Sequence, residues 1–161
     1  MRRLSKRSAR QNGHRQLRCY EPTAASLRRA SGWTELRDDN GLPDSSVHAL
    51  LLDGGTLYVG TDGGAACVAV AEMDDADAWT TLVGAEHGQV TALALVGDLL
   101  YVGTDDGLET YDLATQVLSP VAGTTGAAVY ALYAAEETVY AALESGLCEV
   151  VDGAEAGWIA R

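Results

Sequence analysis

The sequence predicts an all-β protein assembled from three repeats of about 40 residues. Residues 40–68 are followed by two looser copies, 87–111 and 125–150. A valine, a tyrosine and a glycine keep one register, because each recurs after 43 and then 39 residues. These markers are Val47, Val90 and Val129; Tyr58, Tyr101 and Tyr140; and Gly64, Gly107 and Gly146. Such periodicity is typical of proteins in which each repeat is one supersecondary unit that buries its apolar face on its neighbours.

Four short runs rich in β-branched and aromatic residues recur in each repeat, separated by turns of Gly, Asp and Thr. This spacing is typical of a β-sandwich, a barrel or a propeller. The first runs are apolar on both faces, which predicts an inner strand buried on both sides. A small residue, Ala49, Ala92 or Ala131, follows two places after each leading valine, where it would let neighbouring sheets approach closely. The runs are 47–53, 90–96 and 129–135; then 56–61, 99–104 and 138–143; then those after Gly64, Gly107 and Gly146; and last 79–83, 116–121 and a stub at 158–161.

The order of motifs in the first repeat resembles the blade repeat of two-component-regulator-type β-propellers. The matching residues are Gly41-Leu42-Pro43, Val47, Leu57-Tyr58-Val59-Gly60-Thr61, Gly64 and, in the second copy, residues 108–112. Three features depart from that family's pattern: tyrosine replaces tryptophan in the second strand, the Gly-Leu-Pro turn occurs once, and the third copy lacks the Gly-Thr pair. The resemblance implies a partial β-propeller of about three four-stranded blades over residues 33–161, with repeats at about 40–79, 87–121 and 125–161.

Three blades raise the problem of closing the ring, because propellers typically contain about 4–8 blades. Two open sheet faces would otherwise be left uncovered. We therefore expect self-association or a partner that supplies the missing blades, or a chain that is a piece of a longer propeller. Residues 33–37 match the outer strand and could complete the last blade of another copy.

Charge is divided sharply along the chain. Ten of the eleven Lys and Arg residues precede Asp38, and residues 38–160 contain none. Residues 1–32 are basic and without a sustained strand or helix period, which predicts a disordered arm. The acidic remainder, abundant in Ala, Val, Gly, Asp and Thr and free of Phe, resembles haloarchaeal and other halophilic proteins, whose self-repulsion is screened at molar salt.

The location predicted from the sequence is cytoplasmic. The chain has three cysteines, Cys19, Cys67 and Cys148. Their odd number and the lack of a metal-binding or redox spacing favour reduced thiols that pack in the interior. The arm begins with two arginines but lacks the apolar stretch of an export signal. We expect no membrane span, since no run of about 18 apolar residues occurs.

Asp62, Asp105 and Glu144 are the candidate ligand-binding residues. They occupy matching turns, which in a propeller lie on one rim. Their carboxylates could hold a hard cation such as Ca²⁺, but the adjacent glycines favour a simpler role in turn geometry. We expect no metal and no cofactor. His48 and His87 stand in no catalytic motif, so no catalytic residue is assigned.

These observations predict a non-catalytic binding or interaction module, with a sensory or scaffolding role implied only by the family resemblance. One alternative is an enzyme of the lyase or hydrolase type that is active only in an assembled ring. Another is a nucleic-acid-associated protein that uses the basic arm. The second alternative is unfavoured, because molar salt would weaken phosphate contacts.

Overall fold

Three four-stranded antiparallel sheets make up the fold, which confirms the all-β, three-blade partial propeller. The structure, a computed structural model, describes residues 35–151, 153 and 155–160. Each sheet is a meander in which strands adjacent in sequence pair with each other. Blade 1 contains β1 (Val47–Asp53), β2 (Thr56–Thr61), β3 (Gly64–Ala69) and β4 (Thr80–Val83); blade 2 contains β5 (Val90–Val96), β6 (Leu99–Thr104), β7 (Leu108–Asp112) and β8 (Val117–Pro120); blade 3 contains β9 (Val129–Ala135), β10 (Thr138–Leu143), β11 (Gly146–Val151) and β12 (Glu155–Ala160).

The tyrosine markers identify equivalent positions in the three sheets. Tyr58 pairs with Leu51, Tyr101 with Ala94, and Tyr140 with Tyr133, which is the same register in every blade. A bulge follows the leading valine of each first strand and leaves one extra residue, namely His48, Thr91 or Tyr130. A bulge re-aims the side chains that follow it. The leading valine of β5 therefore faces blade 1 while Ala92, two residues later, faces blade 3.

Two apolar cores lie between the blades. Tyr58 and Val83 of blade 1 pack with Val90 and Leu100 of blade 2. The second core joins the opposite face of blade 2, including Tyr101 and Leu108, to Val129 and Val139 of blade 3. Each fully buried valine or leucine contributes roughly 1.5–3 kcal/mol relative to an exposed one. Blade 2 is consequently covered on both faces, so the prediction of an inner strand buried on both sides is confirmed for β5. It is wrong for β1 and β9, which have several exposed residues because blades 1 and 3 each have one neighbouring blade in the described part of the chain.

Glycine in the second strand permits the close approach of adjacent blades. A Cβ atom on Gly60 would lie 2.5 Å from Val90 Cγ1, and one on Gly103 would lie 2.6 Å from Val129 Cγ1. Ala49 and Ala92 are buried beside these glycines, as expected from their small size. Ala131, at the matching position of blade 3, is exposed.

The outer strands differ in detail from the predicted runs. Strand β4 begins at Thr80 rather than Trp79, because Ala76–Ala78 forms a 3-10 turn that ends there. The predicted stub at 158–161 instead belongs to β12, whose six residues pair with β11 and complete blade 3. Residues 35–37 belong to no strand, and residues 33 and 34 lie outside the described residues. The remaining 3-10 turns are Asp38–Asn40, Val70–Glu72 and Ala85–His87.

The predicted basic arm and Cys19 lie outside the described residues. Cys67 and Cys148 are free thiols, and burial raises the pKa of each. Within the described part of the chain, no helix has the length and hydropathy needed to span a bilayer.

The contact between blades 2 and 3 generates a prediction about stability. Gly103→Ala should lower the free energy of unfolding by roughly 1–3 kcal/mol, the usual cost of overpacking a core. The added Cβ would press on Val129 Cγ1 at 2.6 Å. Urea unfolding followed by circular dichroism measures the change.

The variant Val129→Ala is the matched control for this contact. Because it removes the atom nearest to the new Cβ, the Gly103→Ala/Val129→Ala double variant should be less destabilised than the sum of the two single variants. Strict additivity would show that the Gly103–Val129 contact does not set the distance between the blades.

Candidate functional site

The candidate site lies on the rim, defined here as the edge formed by the turns at 62–63, 105–107 and 144–145 together with the segments that lead into β1, β5 and β9. Each turn is tied to the segment before its own inner strand. The backbone N–H groups of Asp62, Asp105 and Glu144 donate to the carbonyls of Ser46, Gln89 and Ala128, at 3.2, 3.2 and 2.8 Å. This repeated bond fixes the three predicted residues at equivalent places on the rim.

A buried threonine closes the turn in blades 1 and 2. Thr61 Oγ1 donates to the carbonyl of Gly64 at 2.9 Å and accepts from the N–H of Gly63 at 3.1 Å. Thr104 Oγ1 makes the equivalent bonds with Gly107 and Asp106. Blade 3 has Leu143 at this position and so lacks the hydroxyl. The Gly-Thr pair is therefore a turn-closing device, and its loss leaves the turn of blade 3 held by backbone bonds.

Asp62 belongs to a polar cluster between blades 1 and 2. Its Oδ1 lies 2.7 Å from Nε2 of His48 and accepts from the side-chain amide of Gln89. Hydrogen bonds from Gln89 and then from His48 lower the pKa of the Asp62 carboxyl. His48 is the extra residue of the bulge in β1, so the bulge aims it toward this cluster.

Asp105 has a different environment although it occupies the same turn position. Its Oδ1 accepts from the backbone N–H of Gln89 at 3.1 Å. Gly88 makes this possible, because a Cβ there would lie 2.3 Å from Asp105 Oδ1 and its φ of +87° favours glycine. Gln89 thus links the two aspartates, because its side-chain amide donates to Asp62 and its backbone N–H donates to Asp105.

Glu144 stands apart from this arrangement. It is exposed, and its side chain makes no hydrogen bond to any other described residue. The structure therefore brings Asp62 and Asp105 together through Gln89 and leaves Glu144 separate. Among the described residues, no group of three or more His, Cys, Asp or Glu side chains could hold a metal ion. Ligand binding by these three residues stays a prediction.

A pocket of about 360 Å³ opens on the rim of blade 2. The Ala85–His87 turn and Gly88 form one side, and the start of β7 forms the other. Carboxylates dominate its polar lining. The charged and polar side chains are those of Glu86, His87, Thr104, Asp105, Asp106, Glu109 and Thr125, and Leu108 and Pro120 supply apolar wall. We call this the blade 2 pocket.

His87 is held between two carboxylates in the blade 2 pocket. Its Nδ1 lies 3.1 Å from Glu109 Oε1, and its Nε2 lies 3.8 Å from Glu86 Oε1. Glu109 is largely buried, and its Oε2 has no hydrogen-bond partner in the described part of the chain. Glu109 therefore fixes the orientation of the imidazole ring, while Glu86 is mostly exposed.

The sequence analysis missed Gln89, Glu86 and Glu109 as site residues and gave His87 no role. A signal for Glu109 was present in the repeat. Glu109 occupies the repeat position that is Ala66 in blade 1 and Cys148 in blade 3, and both of those residues are buried. A carboxylate at a position that is otherwise small and buried marks a local specialisation of blade 2.

Comparison with known proteins shows similarity of fold alone. No family model matches the sequence, and no curated protein does. The chain is similar to the extracellular domain of the one component system BT4673 from B. thetaiotaomicron, with 22% identity and a TM-score of 0.56. The match covers 70% of this chain and 16% of that chain. The extracellular domain of the hybrid two component system BT3049 from the same organism gives 15% identity and a TM-score of 0.57, with 75% and 16% covered.

A computationally designed protein, Ika4, is also similar, at 21% identity and a TM-score of 0.53, with 65% of each chain covered. The chain therefore spans less than two thirds of each of these structures. The similarity to the two extracellular domains is consistent with the propeller-like fold expected from the repeat motifs. The halophilic and cytoplasmic interpretations stay predictions.

The cluster around Asp62 predicts a pH-dependent contribution to stability. The pKa of the Asp62 carboxyl in the folded protein lies below its ordinary value. The stabilisation from this carboxylate should therefore be fully present above the unfolded-state pKa of about 3.9 and should be lost as the pH falls through the lower folded-state pKa. Asp62→Asn should therefore lower Tm at neutral pH, and the difference from wild type should shrink in acid.

Thermal unfolding monitored by circular dichroism between about pH 2.5 and pH 7 measures this difference. Glu144→Gln is the matched control, since it removes the same charge from the equivalent turn of blade 3. A Tm difference for Asp62→Asn that stays constant down to the lowest pH would contradict the assignment.

Proposed function

We propose that the chain is a non-catalytic binding module of the propeller type and that the blade 2 pocket is its ligand site. The observation that carries the proposal is the arrangement of His87 between Glu86 and Glu109 in a pocket of about 360 Å³. Small-molecule sites in proteins are typically concave and about 300–1,000 Å³ in volume. The pocket lies at the lower end of this range, so it suits a small ligand or one functional group of a larger ligand.

The charge of the blade 2 pocket selects a cationic ligand. Four carboxylates line it, and residues 38–160 contain no Lys or Arg to neutralise them. Such a concentration of one sign of charge in a cleft raises the local concentration of oppositely charged ligands. A primary ammonium or guanidinium group can also donate several charge-assisted hydrogen bonds to carboxylates. We therefore assign an amine or guanidine as the ligand class.

The pocket offers few hydroxyl groups that could act as a nucleophile, which favours binding over catalysis. A carboxylate-oriented histidine can act as a general base and would need a nucleophile or a substrate proton within reach. Of the described residues that line the pocket, Thr104 and Thr125 carry hydroxyls, and Thr104 Oγ1 already donates to Gly107. The His87–Glu109 pair nevertheless supports the second candidate, an enzyme of the lyase or hydrolase type that is active in an assembled ring.

A sensory role is supported by analogy alone. Extracellular domains of a one component and a hybrid two component system share the fold at 22% and 15% identity. A shared fold does not name a function. In this chain, ligand capture at the rim would be the input to such a role.

Calorimetric titration with butylamine and butylguanidine tests the proposed site, and butanol is the neutral probe of similar size. Both cations should bind, and butanol should not. The double variant Glu86→Gln/Asp106→Asn should weaken cation binding by about tenfold, which equals roughly 1.4 kcal/mol. Added KCl should weaken it further through screening.

Glu144→Gln should leave cation binding unchanged. It also removes a carboxylate charge, but Glu144 lies outside the pocket. Equal loss of binding in this control and in the double variant would mean that net charge, rather than the blade 2 pocket, attracts the ligand. No heat of binding for either cation would contradict the proposed function.

A further inference from the structure

The two junctions between blades use the same repeat positions. The leading valine of the following blade is fully buried in each case, with Val90 and Val129 both 0% exposed. Each valine rests on the glycine in the second strand of the preceding blade, namely Gly60 and Gly103. Thr91 adds a bond across the second junction, because its Oγ1 donates to the carbonyl of Val129 at 2.5 Å. One kind of interface is therefore built twice within the chain.

The inner strand of blade 1 displays its part of this interface without a partner blade in the described part of the chain. Val47, the leading valine of blade 1, is 41% exposed, whereas its two counterparts are fully buried. Leu50, at the position of Leu93, is 67% exposed, and Leu52 is similar. Val59, Ala66 and Val68 of the same sheet are buried. The exposed apolar surface of blade 1 is thus concentrated on its inner strand.

Blade 3 displays the other half of the interface. Leu147 is 37% exposed, whereas Leu108 at the same position of blade 2 is 1% exposed beneath blade 3. Tyr133 is 68% exposed, and Ala94 at its position is buried in the core between blades 2 and 3. We call the surface around Leu50 and Leu52 the blade 1 face and the surface around Tyr133 and Leu147 the blade 3 face.

We propose that a second copy of the chain covers both faces, so that the blade 3 face of each protomer packs on the blade 1 face of its partner. Two chains would then form a ring of six blades, within the usual range of about 4–8. The contact is head-to-tail and closes because it is made twice about one two-fold axis. The inference goes beyond the proposed ligand site, because residues of one chain line the whole blade 2 pocket.

A second copy fits better than an unrelated partner because the two faces are the halves of an interface that the chain already makes internally. The partner must offer a blade 3 surface to Leu50 and, on its other side, a blade 1 surface to Tyr133. This chain carries both surfaces, one on blade 1 and the other on blade 3. Large exposed apolar patches mark sites of association.

The charge of the chain gives this association a distinctive salt dependence. Each copy has a net charge of −12, so two copies repel each other in dilute buffer. Screening at molar salt removes most of this repulsion, because the Debye length falls to about 3 Å. KCl should therefore strengthen the dimer, whereas it should weaken binding of a cationic ligand.

Sedimentation equilibrium of the full chain at increasing KCl is the first test. The expected result is a shift from the 16.9 kDa monomer toward twice that mass, with a dissociation constant that falls as KCl rises. A monomer throughout several molar KCl would overturn the proposal, and so would a mixture of open-ended oligomers.

Two single variants and their mixture test the geometry of the ring. Leu50→Lys and Tyr133→Glu should each weaken dimerisation by about tenfold or more, because an unpaired charge is buried at both interfaces. When the two variants are mixed, one interface is wild type and the other pairs lysine with glutamate, so a heterodimer should form. Val117→Asp is the control, since Val117 is exposed on the outer strand β8 of blade 2.

Near-ultraviolet circular dichroism of each variant shows whether the blades remain packed. A dimer that is lost in Leu50→Lys but unchanged in Tyr133→Glu would overturn the head-to-tail ring in favour of blade 1 pairing with itself. Dimers unaffected by either substitution would overturn it as well. Cation binding measured on the same samples separates failure of the ring from failure of the blade 2 pocket.

Discussion

The blades are held together by the packing of one sheet on the next. A four-stranded sheet with apolar residues on both faces cannot bury both by itself, so each blade needs a neighbour on either side. Glycine in the second strand and a valine at the start of the next blade bring the sheets together at Gly60–Val90 and Gly103–Val129. The same positions are exposed where the neighbour is missing, as Val47 shows.

The repeated rim turns provide a frame on which individual residues are specialised. In each blade the backbone of the turn is tied to the segment before the inner strand. The side chains at equivalent turn positions then differ in role: Asp62 joins His48 and Gln89, while Asp105 holds the backbone of Gln89. Only blade 2 adds a carboxylate, Glu109, at a position that is small and buried in the other blades. Repetition thus supplies the scaffold, and departure from repetition supplies the candidate site.

The acidic composition connects stability, ligand class and association. Beyond Arg37, two described histidines, His48 and His87, form ion pairs with carboxylates. Such pairs depend on protonation of the ring and cannot balance the 21 acidic side chains of residues 38–160. The surplus negative charge attracts cations to the blade 2 pocket and opposes contact between copies. Salt shifts these two effects in opposite directions.

The inner strands, the register of the repeats and the number of blades could be predicted from the sequence, because they depend on local periodicity and on markers that recur at fixed intervals. The sequence also placed Asp62, Asp105 and Glu144 in equivalent turns. Three features appear only in the folded chain: Gln89 links two of these turns, Glu109 orients His87, and β12 completes blade 3. These contacts join residues that are distant in sequence and occur once. A repeat pattern carries no signal for a contact that is made in a single blade. Such contacts could not be predicted from the sequence, because only folding brings the two residues together.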